Sequence, residues 1–551
     1  MSRRTYLILF LAGLILPSIL AFFQPTPGYL DSAYYYAGGI QLATGQGFAE
    51  PYAWNYLDGR TSLPHPSHTY WFPLASIVAA LGMWLTGQVT YAAARLPFII
   101  LAALVVPVTA ALAYAFSKKR DVAILSALFA IFSVYHAPFV GVTDNFSPFM
   151  LFGGLYFLAV TKLTEDPSQT KYWFALGLFA GLLALSRSDG LLWLGMTLLF
   201  ALSRSTFNVP LSTSHSSAQS LSVGLSTNHT SRIKYYVSRI TFHFSLLTRY
   251  SLSALLGFLI IMSPWYARNL SAFGTLMAPG GSRALWLQNY DQTFIYPPDQ
   301  LTKESFLEYG WENILADRMW ALGTNLQSGF AAHGGIILFP FIVAGIIYYR
   351  RDERVKLAVT AWLILFFVMT FLFPFAGARG AFFHAGAALQ PMWWTLAPLG
   401  LDGILSSLGK KNWGDDQTKF IFRSAFVLIA IILTLYVSYL RVFSLGWGEG
   451  EAGYPAVEQF LVQNGIGPQD IVIVRNAPGY YIATGRSALA IPYSGAEAVL
   501  AVAEQFGARY FVLEQQATLP ELKYLREDPE QDANFEFLGE VNDIYIFRIE
   551  R

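Results

Sequence analysis

One pattern recurs from end to end of this chain: apolar runs separated by short polar stretches. The runs lie near 6–23, 71–86, 95–116, 121–141, 145–161, 172–186, 189–203, 250–267, 335–349, 355–375, 385–401 and 424–443. Several reach the roughly 17–25 residues that a helix needs to cross a bilayer. Inside lipid the backbone must satisfy its own hydrogen bonds, so such runs fold as helices. Composition agrees, since of 551 residues 54% are hydrophobic and 13% charged, against about 25% charged in soluble domains. The expected fold class is a polytopic α-helical membrane protein.

A net charge of +1 without a separate basic patch gives no support for nucleic-acid binding. The absence of cysteine excludes disulfides, thiolate metal sites and cysteine nucleophiles. Ser2-Arg3-Arg4 followed by the run 6–23 has the outline of a signal peptide. The run is long for one, however, and "QPTPGYLD" offers no small-x-small cleavage site, so an uncleaved first helix is expected.

Lys and Arg collect in cytoplasmic loops. If all twelve runs crossed, "KKR" at 118–120 and the later basic loops would face away from Arg3-Arg4. If 71–86 ("WFPLASIVAALGMWLT") instead lies at the interface, every basic cluster falls inside. Trp71, Pro73 and Trp84 suit a helix at headgroup level. The expectation is therefore about 11 crossings plus an interfacial helix at 71–86.

Residues 1–445 then form the membrane domain. Outer loops are expected at 24–94 and 268–334, with a flexible cytoplasmic loop at 205–245, rich in Ser and Thr. Residues 446–551 change character. "YPAVEQFLVQNG" and "GAEAVLAVAEQFG" have helical spacing, "DIVIVRN" and "ARYFVLEQ" read as strands, and "FEFLGEVNDIYIFRI" reads as a hairpin turning near Asn542-Asp543. This predicts a small extracytoplasmic α/β domain without a glycine-rich phosphate loop.

Mid-bilayer charge marks transport pathways, and the expected spans carry almost none. The acids gather at the outer rim instead. Asp31 follows the first helix, among Tyr29, Tyr34, Tyr35 and Tyr36, and Asp144 lies in "GVTDNFSPF". Helix capping accounts for either acid as well as chemistry does. Outer arginines that could meet a phosphate are Arg95, Arg187, Arg268, Arg283 and Arg379, with His384 nearby. Snorkelling to headgroups is the plain alternative. His65, His68, His333 and His384 leave a divalent metal open, although "HPSH" has no standard zinc spacing. No cofactor is certain.

A series of pieces in order carries a family resemblance: "LDSAYYYAGGIQLATGQGF", "AARLPFIILAAL", "TDNFSPFMLF", "LLALSRSDGLLW", "SPWYARNLSAFGT", "RGAFFHAGAALQPMWW" and "NAPGYYIATGR". Together they resemble the GT-C glycosyltransferases, among them protein O-mannosyltransferases, aminoarabinose transferases and the RgtA-like bacterial group. Those membrane enzymes transfer a sugar from a polyprenyl-phosphate carrier. The resemblance implies an inverting enzyme at the outer face of the cell membrane, with Asp31 as base and Asp144 as second catalytic acid. It implies a polyprenyl-phosphate-sugar donor and a glycan, lipid or protein acceptor, with Arg268, Arg379, His384, Tyr35 and Glu50 binding substrate. The family's first loop often reads Asp-Glu, whereas Ser32 follows Asp31 here, so Glu50 is a candidate for the missing carboxylate. The alternative function is a lipid-linked sugar transporter or flippase without transferase activity.

Overall fold

The computed structural model describes residues 1–207, 229–408, 416–515 and 519–550. Helix α1 (Arg3–Phe23) starts at Ser2, whose hydroxyl accepts the Thr5 amide at 3.2 Å. Its 21 residues reach about 31 Å at 1.5 Å each, enough for a bilayer core. Helix α2 (Leu30–Ala43) is too short to cross, and so is α3 (Leu74–Thr86). After them come α4 (Tyr91–Ser117), α5 (Arg120–Ile131), α6 (Phe146–Glu165), α7 (Thr170–Ser186), α8 (Leu191–Phe207) and α9 (His229–Phe273). Later helices include Glu353–Phe367, Gln390–Leu408 and Asp416–Tyr439.

Among the described residues six helices are long and apolar enough to cross a membrane, or seven if one bent pair counts as a span. That pair, Trp311–His333 and Ile336–Tyr348, turns through 88°. The protein is a membrane protein on this ground. Of the segment 205–245, residues 208–228 lie outside the described residues, whereas α8 and α9 carry its two ends into helix.

Small residues let the helices meet closely. A Cβ on Gly177 of α7 would lie 1.7 Å from the Ala254 carbonyl of α9, and one on Gly257 would lie 2.2 Å from the Phe174 carbonyl. Backbones packed this tightly gain dispersion contacts that lipid cannot replace. Aromatic rings fill the same seam, with Trp173 stacked on Tyr250 at 4.7 Å.

Two sheets stand outside the helical part. Strands β1 (Ala49–Glu50) and β3 (His65–Pro66) pair antiparallel. The larger sheet takes β2 (Tyr52–Ala53) from the first loop and joins it to strands near the C-terminus. These are β4 (Val472–Val474), β5 (Ala488–Ala490), β6 (Tyr510–Glu514), β7 (Phe535–Val541) and β8 (Ile544–Ile549), in the order β2-β5-β4-β6-β8-β7. The first four run parallel, with β8 and β7 antiparallel. Asn542 and Asp543 turn the β7–β8 hairpin with positive φ, which short polar side chains tolerate. Helices Tyr454–Gln463 and Ala477–Thr484 cover one face of the sheet, and Ala496–Phe506 covers the other.

A buried polar knot stiffens the first loop. Glu50 pairs with Arg60 at 2.7 Å and accepts the Tyr34 hydroxyl at 2.5 Å. Arg60 also holds Asp58 at 3.0 Å and Thr69 at 2.9 Å. Neither Glu50 nor Arg60 exposes any side chain, so each charge depends on its partners for stabilisation.

Candidate active site

Three sequence-distant segments bring two carboxylates and an imidazole together. Asp31 stands in the first turn of α2, where it complements the helix dipole without capping the helix. Asp144 lies just before α6. Its Oδ1 accepts the Asn145 amide at 2.5 Å, which leaves its Oδ2 to other partners. That Oδ2 accepts the Tyr29 hydroxyl at 2.5 Å and approaches His384 Nε2 at 3.1 Å. His384 Nε2 is 3.9 Å from Asp31 Oδ2. Ser32 and Thr143 tie the two loops with a 2.9 Å hydroxyl contact, and Asn145 donates to the Tyr35 hydroxyl at 2.6 Å.

The electrostatics separate the two acids. Burial raises Asp31 and the nearby Asp144 charge raises it further, to about 6, while His384 and Arg187 oppose the rise. Burial works against Asp144 too, but His384, the Tyr29 hydroxyl and the Asn145 amide hold it below the ordinary carboxylate range. His384 is raised: burial disfavours its charge, and Asp144 outweighs that. Its Nδ1 lies 2.9 Å from the Gly380 carbonyl and its Nε2 lies beside the Asp144 carboxylate, so an acceptor faces each ring nitrogen. Two environments that push acids apart are how one site holds both a proton acceptor and a permanent anion.

Asp31 keeps 31% of its side chain open, and it faces a cavity of about 480 Å³. Arg187 lines the same cavity, held by Asp189 at 2.9 Å. Tyr35, Tyr70, Trp71 and Tyr290 supply aromatic walls, and Val368, Met369 and Phe373 supply an apolar side. Arg379 sits at its edge with the guanidinium 4.9 Å over the Tyr290 ring. Among the described residues Arg379 makes no ion pair.

Of the residues singled out in the sequence, Asp31, Asp144, His384, Tyr35 and Arg379 therefore converge. Glu50 lies in the buried knot of the first loop, paired with Arg60. Arg268 packs over Trp265 and Phe273 and donates to the Ser67 carbonyl at 2.7 Å. Arg95 holds the Gly141 and Gln24 carbonyls at 3.0 and 2.6 Å, and Arg283 pairs with Asp299 at 2.7 Å. His65 pairs with Asp58, His68 is enclosed by Ser67 and Ser76, and His333 contacts Trp362.

Sequence reasoning did not assign roles to Tyr29, Asn145 and Tyr290. Tyr29 carried a weak signal, being two residues before Asp31. Tyr290 carried none, because its loop has no periodicity.

Asp31, Asp144 and His384 each offer one ligand atom, all within 4.8 Å of one another. Two carboxylate oxygens and an imidazole nitrogen form a donor set suited to a divalent ion such as Zn²⁺ or Mn²⁺.

No family model matches the chain, and no curated protein matches it. Solved structures do. ArnT from Cupriavidus metallidurans in the apo state aligns with a TM-score of 0.51 and 12% identity, over 99% of this chain and 98% of that one. The same protein bound to undecaprenyl phosphate gives 0.50 and 11%, with the same coverage. The Archaeoglobus fulgidus oligosaccharyltransferase in complex with Zn and sulfate gives 0.50 and 14%, over 98% of this chain and 72% of that one. Agreement over nearly the whole length, at identities this low, is agreement of architecture: the chain has a GT-C-like fold.

Proposed function

We propose that the protein is an inverting glycosyltransferase that moves a sugar from a polyprenyl-phosphate carrier to an acceptor hydroxyl at the outer membrane face. The observation that carries this reading is Asp31, a carboxylate with a raised proton affinity facing a cavity that also holds Arg187 and His384. The undecaprenyl phosphate bound by the ArnT neighbour supports a lipid-phosphate donor.

The acceptor oxygen attacks the anomeric carbon, and Asp31 takes the hydroxyl proton as the new bond forms. The bond from that carbon to the phosphate oxygen breaks on the opposite face, and its electron pair leaves with the polyprenyl phosphate. Attack and departure on opposite faces invert the centre. Arg187, Arg379 and His384 are the cations available to the phosphate. Asp144 raises the proton affinity of His384 and so favours its cationic form. With its ring neutral, His384 would instead join Asp31 and Asp144 in holding a divalent cation, which when bound would supply the positive charge in place of the imidazolium.

The topology follows the same reading: eleven crossings, α3 at the interface, and the C-terminal sheet unit outside the cell membrane. Strand β2 of the first loop pairs with β5, so the loop and the C-terminal unit share one side. An even number of crossings must separate them. Ten of the eleven do so, and counting 71–86 as another would make the number odd.

The test is Asp31→Asn in reconstituted membranes supplied with a panel of polyprenyl-phosphate sugars. Transfer is expected to fall at least about 100-fold, the scale of a lost general base. Near wild-type turnover would remove Asp31 from the reaction. Because the chain has no cysteine, single Cys substitutions at Gln46, Lys119 and Ala533 test the topology. An impermeant maleimide should reach the first and third from outside and Lys119→Cys only after permeabilisation.

A further inference from the structure

A second and larger cavity, of about 630 Å³, lies beside the first. One wall is the sheet unit. Arg475 and Asn476 follow β4, and Ile491 and Tyr493 follow β5, so this wall is the carboxyl end of the parallel strands. The chain leaves β4 toward the helix on one face and leaves β5 toward the helix on the other. The crevice where such connections diverge is where open α/β sheets bind ligands. The opposite wall comes from the membrane part, through Tyr29, Asp291 and Phe294.

The two cavities share part of their lining. Tyr290 and Arg379 line both. Leu30 lines the second and Asp31 the first, on consecutive residues. The Tyr29 ring lines the second while its hydroxyl reaches Asp144. The second cavity therefore borders the one that Asp31 faces, with Tyr290 and Arg379 between them.

The chemistry of the walls selects a class of ligand. Flat rings offer faces to sugar C–H groups. Arg475, Asn476, Asp291 and Glu451 offer both donors and acceptors, as a row of hydroxyls requires. Glu451 accepts from Asn476 at 2.6 Å, and burial lifts it to about 7, so near neutral pH it can also donate. Lipid tails would need a continuous apolar wall, and Asp291 interrupts it. A peptide adding to the sheet would need a free strand edge, but the cavity meets only strand ends.

We infer that this second cavity binds the acceptor, that the acceptor is a saccharide chain, and that it reaches Asp31 past Tyr290 and Arg379. This rests on the transferase reading above and names the substrate class for it.

The test uses the full-length protein in nanodiscs, saturation-transfer NMR, and three probe sets: short neutral oligosaccharides, a hydrophilic peptide of similar length, and a short-chain phospholipid. Oligosaccharide signal is expected, reduced at least fivefold by Arg475→Ala and by Asp291→Ala and retained by Asp31→Asn. Both alanine positions are solvent-exposed, so folding should survive. Peptide or phospholipid signal in place of saccharide overturns the inference, as does saccharide signal untouched by either alanine variant. Saccharide binding that behaves as expected, in a protein with no transfer from any lipid-linked donor, would instead sink the transferase reading alone.

Discussion

The Tyr29 hydroxyl donates to Asp144 Oδ2 at 2.5 Å across 115 positions of sequence. The bond fixes one Asp144 oxygen while His384 takes the same atom at 3.1 Å, so the anion, the phenol and the imidazolium orient one another. Tyr29→Phe removes one hydrogen bond to a charge, worth about 1.5–3 kcal/mol. Transfer is expected to fall about tenfold, with the acid limb of the pH profile displaced, in steady-state assays across pH. A variant with wild-type rate and profile would make the contact purely structural.

Asp31 sets the acid limb. Its folded pKa of about 6 lies above the ordinary carboxylate value, so protons bind it as pH falls through 6 and the base is lost. The ratio kcat/KM should drop about tenfold per pH unit below 6, following the fraction ionised. Stability runs the other way. A group that binds its proton more tightly when folded destabilises the native state above its folded pKa. Asp31→Asn should therefore unfold slightly later than wild type at pH 7.5 in thermal scans, while being nearly inactive.

Arg379 and Arg268 should separate cleanly. Arg379 borders the cavity with its guanidinium over Tyr290. Arg379→Ala is expected to raise the donor KM about tenfold, a loss of roughly 1.4 kcal/mol of phosphate attraction. Arg268 is spent on the Phe48 and Ser67 carbonyls and on three rings. Arg268→Ala should lower the unfolding midpoint and leave donor KM within twofold. The reverse pattern would move the phosphate site to Arg268.

Glu50 and Arg60 make a corresponding pair for stability. Arg60→Met strands Glu50 and Asp58 without their cation, and breaking a buried pair costs about 3–5 kcal/mol. A fall of several degrees in the unfolding midpoint is expected, with activity per folded molecule little changed. A Glu50→Gln variant of normal stability but weakened donor affinity would return Glu50 to the substrate site.

The helical architecture was legible because lipid forces it: apolar length alone marks where backbone must close its own hydrogen bonds. The grouping of acids in the segments between spans was legible for the complementary reason, since charge is excluded from the spans. What the sequence did not reveal was which polar groups meet. Glu50 and Asp31 read alike as lone outer carboxylates, yet Glu50 has Arg60 ten residues on and is sealed with it, while Asp31 faces open space. Arg268 was expected to bind substrate and Arg187 was only one of several candidate cations, yet tertiary packing turns Arg187 toward the cavity and Arg268 onto Phe48 and Trp265. Tyr290 left no trace because its loop takes its shape from neighbours rather than from a repeating pattern.

The strand that the first loop lends to the far end of the chain bears on how the protein is made. Tyr56 reaches the Ala490 carbonyl 434 residues later, beside the pairing of Tyr52 with Ala488. During synthesis the loop emerges early and waits through almost the entire insertion of helices before its neighbour exists. Until then its strand edge is bare and available to other chains. A message truncated before residue 488 would yield helices that insert but a loop that never closes, and such products should be sticky and short-lived rather than merely inactive.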